Sequence, residues 1–238
     1  MKNPGHSIAA AGLLGLAATL LPHAGPAAVV LPVADTMVTE APGLGGVVSS
    51  HGSDILLFAT GMPAFRSYPL VRFDLSAFTG QTLTGPATFE FWLTEGAPTG
   101  LTSPVSVHAI LRPWDEATET LQTFGGPLDI NPGRVGPAVD TVPVTYSGTA
   151  DQGFVSWSLP ADLVQGWIDD PSSNFGLLIR NTATGPGTDL LFQSREGTHP
   201  PQLTFDMVVV PEPAEWGALA GLMLVGFATA RRHRRPAA

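Results

Sequence analysis

The sequence predicts an all-β fold, an antiparallel β-sandwich of jelly-roll type with one short helix, on three observations. From Val29 to Val210 apolar and polar residues alternate in short segments, which sets the apolar ones on one face of a strand. The 238 residues include 27 Gly and 23 Pro, spread along the chain without a repeat, so turns are frequent and long helices improbable. Between the termini, one segment alone carries helical spacing.

In chain order, the first element is an address. Residues 1–28 open with the positive charge of Lys2, continue as an uncharged apolar run from Ile8 to Leu21, and end in small residues from Ala24 to Ala28, the layout of a signal peptide. Export is therefore expected. The body, residues 29–209, begins with short strands near Asp35 and Ile55. In "LVRFDL", Val71, Phe73 and Leu75 share one face and Arg72 and Asp74 the other. "ATFEFWL" sets Ala87, Phe89, Phe91 and Leu93 against Thr88, Glu90 and Trp92, and "VSVHAIL" sets Val105, Val107, Ala109 and Leu111 against Ser106, His108 and Ile110. Strands follow near Val142 and at "FVSWSL", where Trp157 falls on the apolar side with Val155 and Leu159. In "LPADLVQGWIDDP" the stripe Leu163, Val164, Trp167 and Ile168 marks the helix, and Pro171 ends it. "GLLIR", "LLFQS" and "QLTFDMVVV" complete some nine or ten strands, the last with Leu203, Phe205, Met207 and Val209 inward.

Charge and cysteine content narrow the function classes. The formal charge is −9, but Lys2, Arg231, Arg232, Arg234 and Arg235 supply five of the eleven basic residues. Between Val29 and Val210, six Arg face eighteen carboxylates, a balance that repels phosphate backbones and argues against nucleic acid as a partner. Cysteine is absent, which excludes disulfides, thiolate metal sites and cysteine nucleophiles.

The last element, residues 210–235, is a second address. Trp216 to Ala230 is apolar and uncharged for fifteen residues, which as a helix of ~1.5 Å rise spans about 22 Å, short for a bilayer core of about 30 Å. Arg231, Arg232, Arg234 and Arg235 would hold its end on the cytoplasmic side, with the body outside. Pro211, Glu212 and Pro213, an apolar segment and a terminal Arg cluster, in that order, resemble the PEP-CTERM sorting signal of Gram-negative bacteria. The resemblance implies recognition by exosortase, a transmembrane helix at 216–230 that anchors the chain transiently in the inner membrane, and release to the cell surface or extracellular matrix.

The body resembles a second family. "ADTMV" from Ala34, "YPLVRFDLSAF" from Tyr68, "RPWDEATETLQTF" from Arg112, "LVQGWIDDPSSNFGLLIRN" from Leu163 and "FQSREGTHPPQLTFDM" from Phe192 occur in the order of DNRLRE domains, secreted bacterial β-sandwich modules related to carbohydrate-binding modules. Leu121 stands where a second Trp often appears, and Thr79 to Gly100 matches loosely. The resemblance implies binding of exopolysaccharide, some members taking acidic polymers such as alginate. The alternatives are a structural biofilm matrix protein without a glycan ligand and, third, a polysaccharide-degrading enzyme.

Four residues are candidates for glycan contact. Trp92 faces the polar side of its strand and Trp114 follows a Pro near a loop, where an indole can stack on a sugar ring. Arg72 and Arg195 bring guanidinium forks, which serve equally to hold a loop or a carboxylate. Sandwich modules that bind sugars often carry a structural calcium, for which Asp35, Asp54 or Asp206 would supply oxygens. Catalysis needs converging groups, whereas His51, His108 and His199 are dispersed and the Asp115–Glu116 and Asp169–Asp170 doublets are adjacent in sequence, not opposed across a cleft. No enzymatic site is expected.

Overall fold

A computed structural model describes residues 27–40, 51–62, 65–97, 100–124, 133–185 and 187–208. The sorting motif, Pro211, Glu212 and Pro213 with Arg231, Arg232, Arg234 and Arg235, lies outside them, as do the segment 216–230, Val209 and all of the signal peptide except Ala27 and Ala28. Among the described residues no helix is long and apolar enough to cross a membrane.

The strands are β1 (Ala28–Val30), β2 (Pro32–Glu40), β3 (Leu56–Met62), β4 (Phe65–Phe73), β5 (Thr82–Leu83), β6 (Ala87–Gly96), β7 (Thr102–Ile110), β8 (Val135–Thr145), β9 (Gly153–Leu159), β10 (Leu177–Asn181), β11 (Leu190–Gln193), β12 (Gln202–Phe205) and β13 (Met207–Val208). Eleven of them form one large curled antiparallel sheet whose two halves face each other, the all-β sandwich-like fold that the alternation predicts, while β5 and β13 pair as a separate two-stranded sheet. In the first half β9 lines one edge of β6, and β12 and β11 follow one another along its other edge, with β1 beyond β12. In the second half the order is β2, β4, β10, β7, β8. β3 turns the corner, since Leu56–Ala59 pair with β11 while Thr60–Met62 pair with β4.

The inward faces meet in the main core. Ala87, Phe89, Phe91 and Leu93 from the first half are all buried, as are Val71, Phe73, Val105 and Val107 from the second. Trp157 bridges them: its Nε1 donates to the carbonyl of Val105 at 2.9 Å, and its ring stacks on Phe89 at 5.5 Å. The predicted helix is α2 (Ala161–Asp169), with Val164, Trp167 and Ile168 buried and Leu163 packed against the core. A four-residue helix, α1 (Leu121–Phe124), was not legible in the pattern.

One face departs from the expected alternation. Ile110, expected on the polar side of its strand, is buried, whereas Leu111, expected inward, lies past the end of β7 and is exposed. The reason is a second apolar cluster on the outer side of the second half-sheet. There Ala34, Val38, Tyr68, Leu70, Ile110 and Leu178 lie beneath Trp114 and Phe124. Two faces of β4 are thus buried, which is why its sequence reads as a near-continuous apolar run from Tyr68 to Val71.

Candidate functional site

The outer face of the first half-sheet carries a ring cluster within a polar surface. Trp92 and Phe154 are partners across β6 and β9, and their rings meet edge to face at 5.1 Å. The imidazole of His199 lies almost parallel to the Trp92 indole, 3.9 Å away at 12°. Period-two alternation puts Trp92 outward because Phe91 and Leu93 go inward. His199 arrives by the turn after β11. Gly197 N–H donates to the Ser194 carbonyl, and Gln193 Oε1 accepts from both His199 N–H at 2.8 Å and Thr198 Oγ1 at 3.2 Å. Trp92 is half-buried, while Phe154 and His199 are exposed. Glu90, on the same face of β6, accepts from Ser156 Oγ at 3.2 Å and lies opposite Gln202. Apolar ring surface edged by hydroxyl, amide and carboxylate groups suits a pyranose, whose C–H face stacks while its hydroxyls hydrogen-bond.

Trp114 is placed otherwise than expected. It is 6% exposed in the second apolar cluster, its Nε1 donates to the Phe175 carbonyl at 2.7 Å, and the Arg72 guanidinium sits 5.4 Å above its ring. Its indole therefore has no open face for a sugar, because the Pro113–Phe124 segment folds down over β2 and β4 instead of standing out as a loop. Arg72 borders an open depression of about 380 Å³ with Val33, Asp74, Pro113 and Phe175. Asp74 is held below the usual carboxylate range chiefly by the Ser76 N–H, with Arg72 a lesser influence.

Arg195 sits elsewhere, at the centre of a carboxylate cluster. Its Nη1 donates to the Val33 carbonyl at 2.7 Å, Nη2 to Glu116 Oε2 at 3.0 Å and Nε to Glu196 Oε1 at 2.8 Å. Its own N–H donates to Asp35 Oδ2 at 2.6 Å. Glu116 Oε1 accepts from the Asp35 N–H at 2.9 Å, so β2, the loop after β7 and the turn after β11 are tied together. Gly52 lies so close to Glu116 that a Cβ would come 2.5 Å from its carbonyl oxygen, which packs the 51–55 loop against the same place. Of the carboxylates expected to hold calcium, Asp35 belongs to this cluster. Asp54 instead pairs with His51 Nδ1 at 2.7 Å, and Asp206 is exposed between β12 and β13. Glu116 and Glu196 were passed over in the sequence because nothing local connects them to Asp35.

Asp35 is fully buried, and its carboxyl is pushed up to about 7 from 3.8, first by burial and further by Glu196 and Glu116, against the Arg195 N–H that lowers it. Its protonated form is favoured by folding. The stability this contributes is fully present below pH 3.8 and is lost as pH rises through about 7. At 1.36 kcal/mol per pH unit, the whole effect is on the order of 4 kcal/mol. His108, kept below 6.5 mainly by burial, acts in the opposite sense, losing its contribution as pH falls. Urea unfolding in EDTA at pH 5 and pH 8 should therefore show a marked part of the pH dependence disappearing in Asp35→Asn, and an unchanged difference would disprove the assignment.

No known protein family matches the chain, and no curated protein matches its sequence.

Proposed function

We propose that this chain is an exported β-sandwich module that binds exopolysaccharide at the cell surface or in the extracellular matrix. The observation that carries the reading is the Trp92, Phe154 and His199 cluster, in which the exposed rings of Phe154 and His199 are backed by the half-buried Trp92 indole on the outer sheet face. A flat face of this kind fits an extended polymer, each ring of which offers the same apolar side. The two resemblances support it: the DNRLRE-like order of segments in the body, and the PEP-CTERM-like tail, through which exosortase would transfer the protein outward. The ring cluster is flanked by Glu90, and the body as a whole is acidic, so a neutral glycan is favoured over a polyanion.

The role is binding and not turnover. Asp35, the carboxyl whose proton affinity would suit acid–base work, is 0% exposed and out of reach of a substrate.

Affinity electrophoresis through gels containing neutral or acidic polysaccharides tests this. Retardation is expected in a neutral polymer, and Trp92→Ala should abolish most of it, since the indole is the ring against which the exposed Phe154 and His199 pack and the contact is repeated along a polymer. Trp114→Phe, a change in the buried cluster, should leave retardation intact in the folded protein. Free migration across a broad panel would instead favour a matrix protein without a glycan ligand.

A further inference from the structure

Around Asp35 negative charge is incompletely matched. Asp35, Glu116 and Glu196 each place a carboxylate oxygen within 4.8 Å of the other two, while the guanidinium bonded to Glu116 and Glu196 is that of Arg195. Arg195 takes Oε2 of Glu116 and Oε1 of Glu196, so each glutamate keeps one oxygen that the guanidinium does not bind. Those two oxygens accept from the Asp35 N–H and the Ser194 hydroxyl, and each retains a further lone pair.

A second, independent feature points to a ligand. Asp35 is fully buried, and its Oδ1 accepts no hydrogen bond from any of the described residues. Leaving a buried acceptor unmatched is destabilising, the more so when it is charged. A cation removes that cost.

The donor set selects the ion. All three ligands are hard oxygens, without the imidazole or thiolate that favours zinc. Ca²⁺ binds oxygen at about 2.3–2.6 Å, so two oxygens on one ion lie at most about 5 Å apart, a limit the cluster meets. Mg²⁺, at about 2.0–2.1 Å, demands a near-ideal octahedron and gives up its water reluctantly, whereas Ca²⁺ accepts irregular sets of protein oxygens. We infer that Asp35, Glu116 and Glu196 bind one Ca²⁺, with water completing its shell. The ion clamps β2, the loop after β7 and the turn after β11, segments brought together from 81 and 160 residues apart. The inference does not depend on the glycan reading.

The full-length chain in detergent, stripped with EDTA, should be titrated with CaCl₂ by calorimetry and followed by thermal unfolding. One ion per chain is expected, with a dissociation constant in the 10⁻⁴–10⁻³ M range of extracellular modules and a saturable rise in Tm. Glu116→Gln and Glu196→Gln preserve shape on partly exposed side chains, and each should weaken binding about tenfold or more with an unchanged circular dichroism spectrum. Asp206→Asn, on an exposed carboxylate, should bind as the unmodified chain does. Absence of saturable heat up to about 10 mM CaCl₂, ten times the weak end of that range, would overturn the site. So would undiminished affinity in both glutamine variants, or an equal response to MgCl₂.

Discussion

Replacing Trp157 by alanine is expected to cost about 3–5 kcal/mol, the range for emptying a buried aromatic site. Trp157 is 1% exposed and touches both halves of the sandwich: it stacks on Phe89, lies 6.3 Å from Phe192, and donates to the Val105 carbonyl across the core. Relaxation cannot fill the space, since the strands on either side are held in register by their ladders. Against a typical domain stability of 5–15 kcal/mol, such a loss leaves the fold marginal. Trp157→Phe retains ring packing but loses the donor to Val105, and should cost about 1–2 kcal/mol. Urea unfolding measures both; a loss below about 1 kcal/mol for the alanine variant would mean that the two halves are not joined through this indole.

The second large effect is expected at Gly176, just before β10. Its φ is +88°, where a side chain is disfavoured by about 1–2 kcal/mol, and a Cβ there would run into the Val71 carbonyl and come 2.9 Å from the Cα of Arg72. Both obstacles are backbone atoms of β4 and cannot rotate away. Gly176 is further fixed by its N–H to Asn174 Oδ1 and its carbonyl to the Ile110 N–H. Gly176→Ala should therefore cost about 3 kcal/mol or more, adding overpacking to strain, and lower Tm by roughly 6–12 °C for a domain of this size. Gly80 supplies the control, with φ +83° but nothing within 4 Å of a Cβ. Gly80→Ala should show the strain alone. If the two variants melted together, the close approach of β10 to β4 would be wrong.

The candidate glycan face was half legible. Trp92 stood out because it falls on the polar side of β6, but the sequence offered no reason to join it to His199, and Trp114 had the same local credentials yet is covered. Exposure of a loop tryptophan depends on whether another segment lies over it. Here the chain from Pro113 to Phe124 folds onto the outer side of β2 and β4, and only the packing of Tyr68, Leu70 and Ile110 beneath it reveals that. Arg195 had two open readings, loop anchor or sugar ligand. It makes four hydrogen bonds, to Val33, Asp35, Glu116 and Glu196, so the anchoring geometry is the one present.

By itself, the sequence determined the all-β class and most inward residues. Phe89, Phe91, Val71, Phe73, Trp157 and Leu203 are buried as alternation required, and the Val164, Trp167 and Ile168 stripe is a helix. These are consequences of backbone periods of 2 and 3.6 residues, which act over a few positions and are written wherever the residues are. The tertiary structure alone decided that β4 is buried on both faces, that His199 stacks on Trp92, and that Asp35, Glu116 and Glu196 converge. Each of these joins segments far apart in the chain, and a local period carries no record of which distant strand, turn or loop will lie against it.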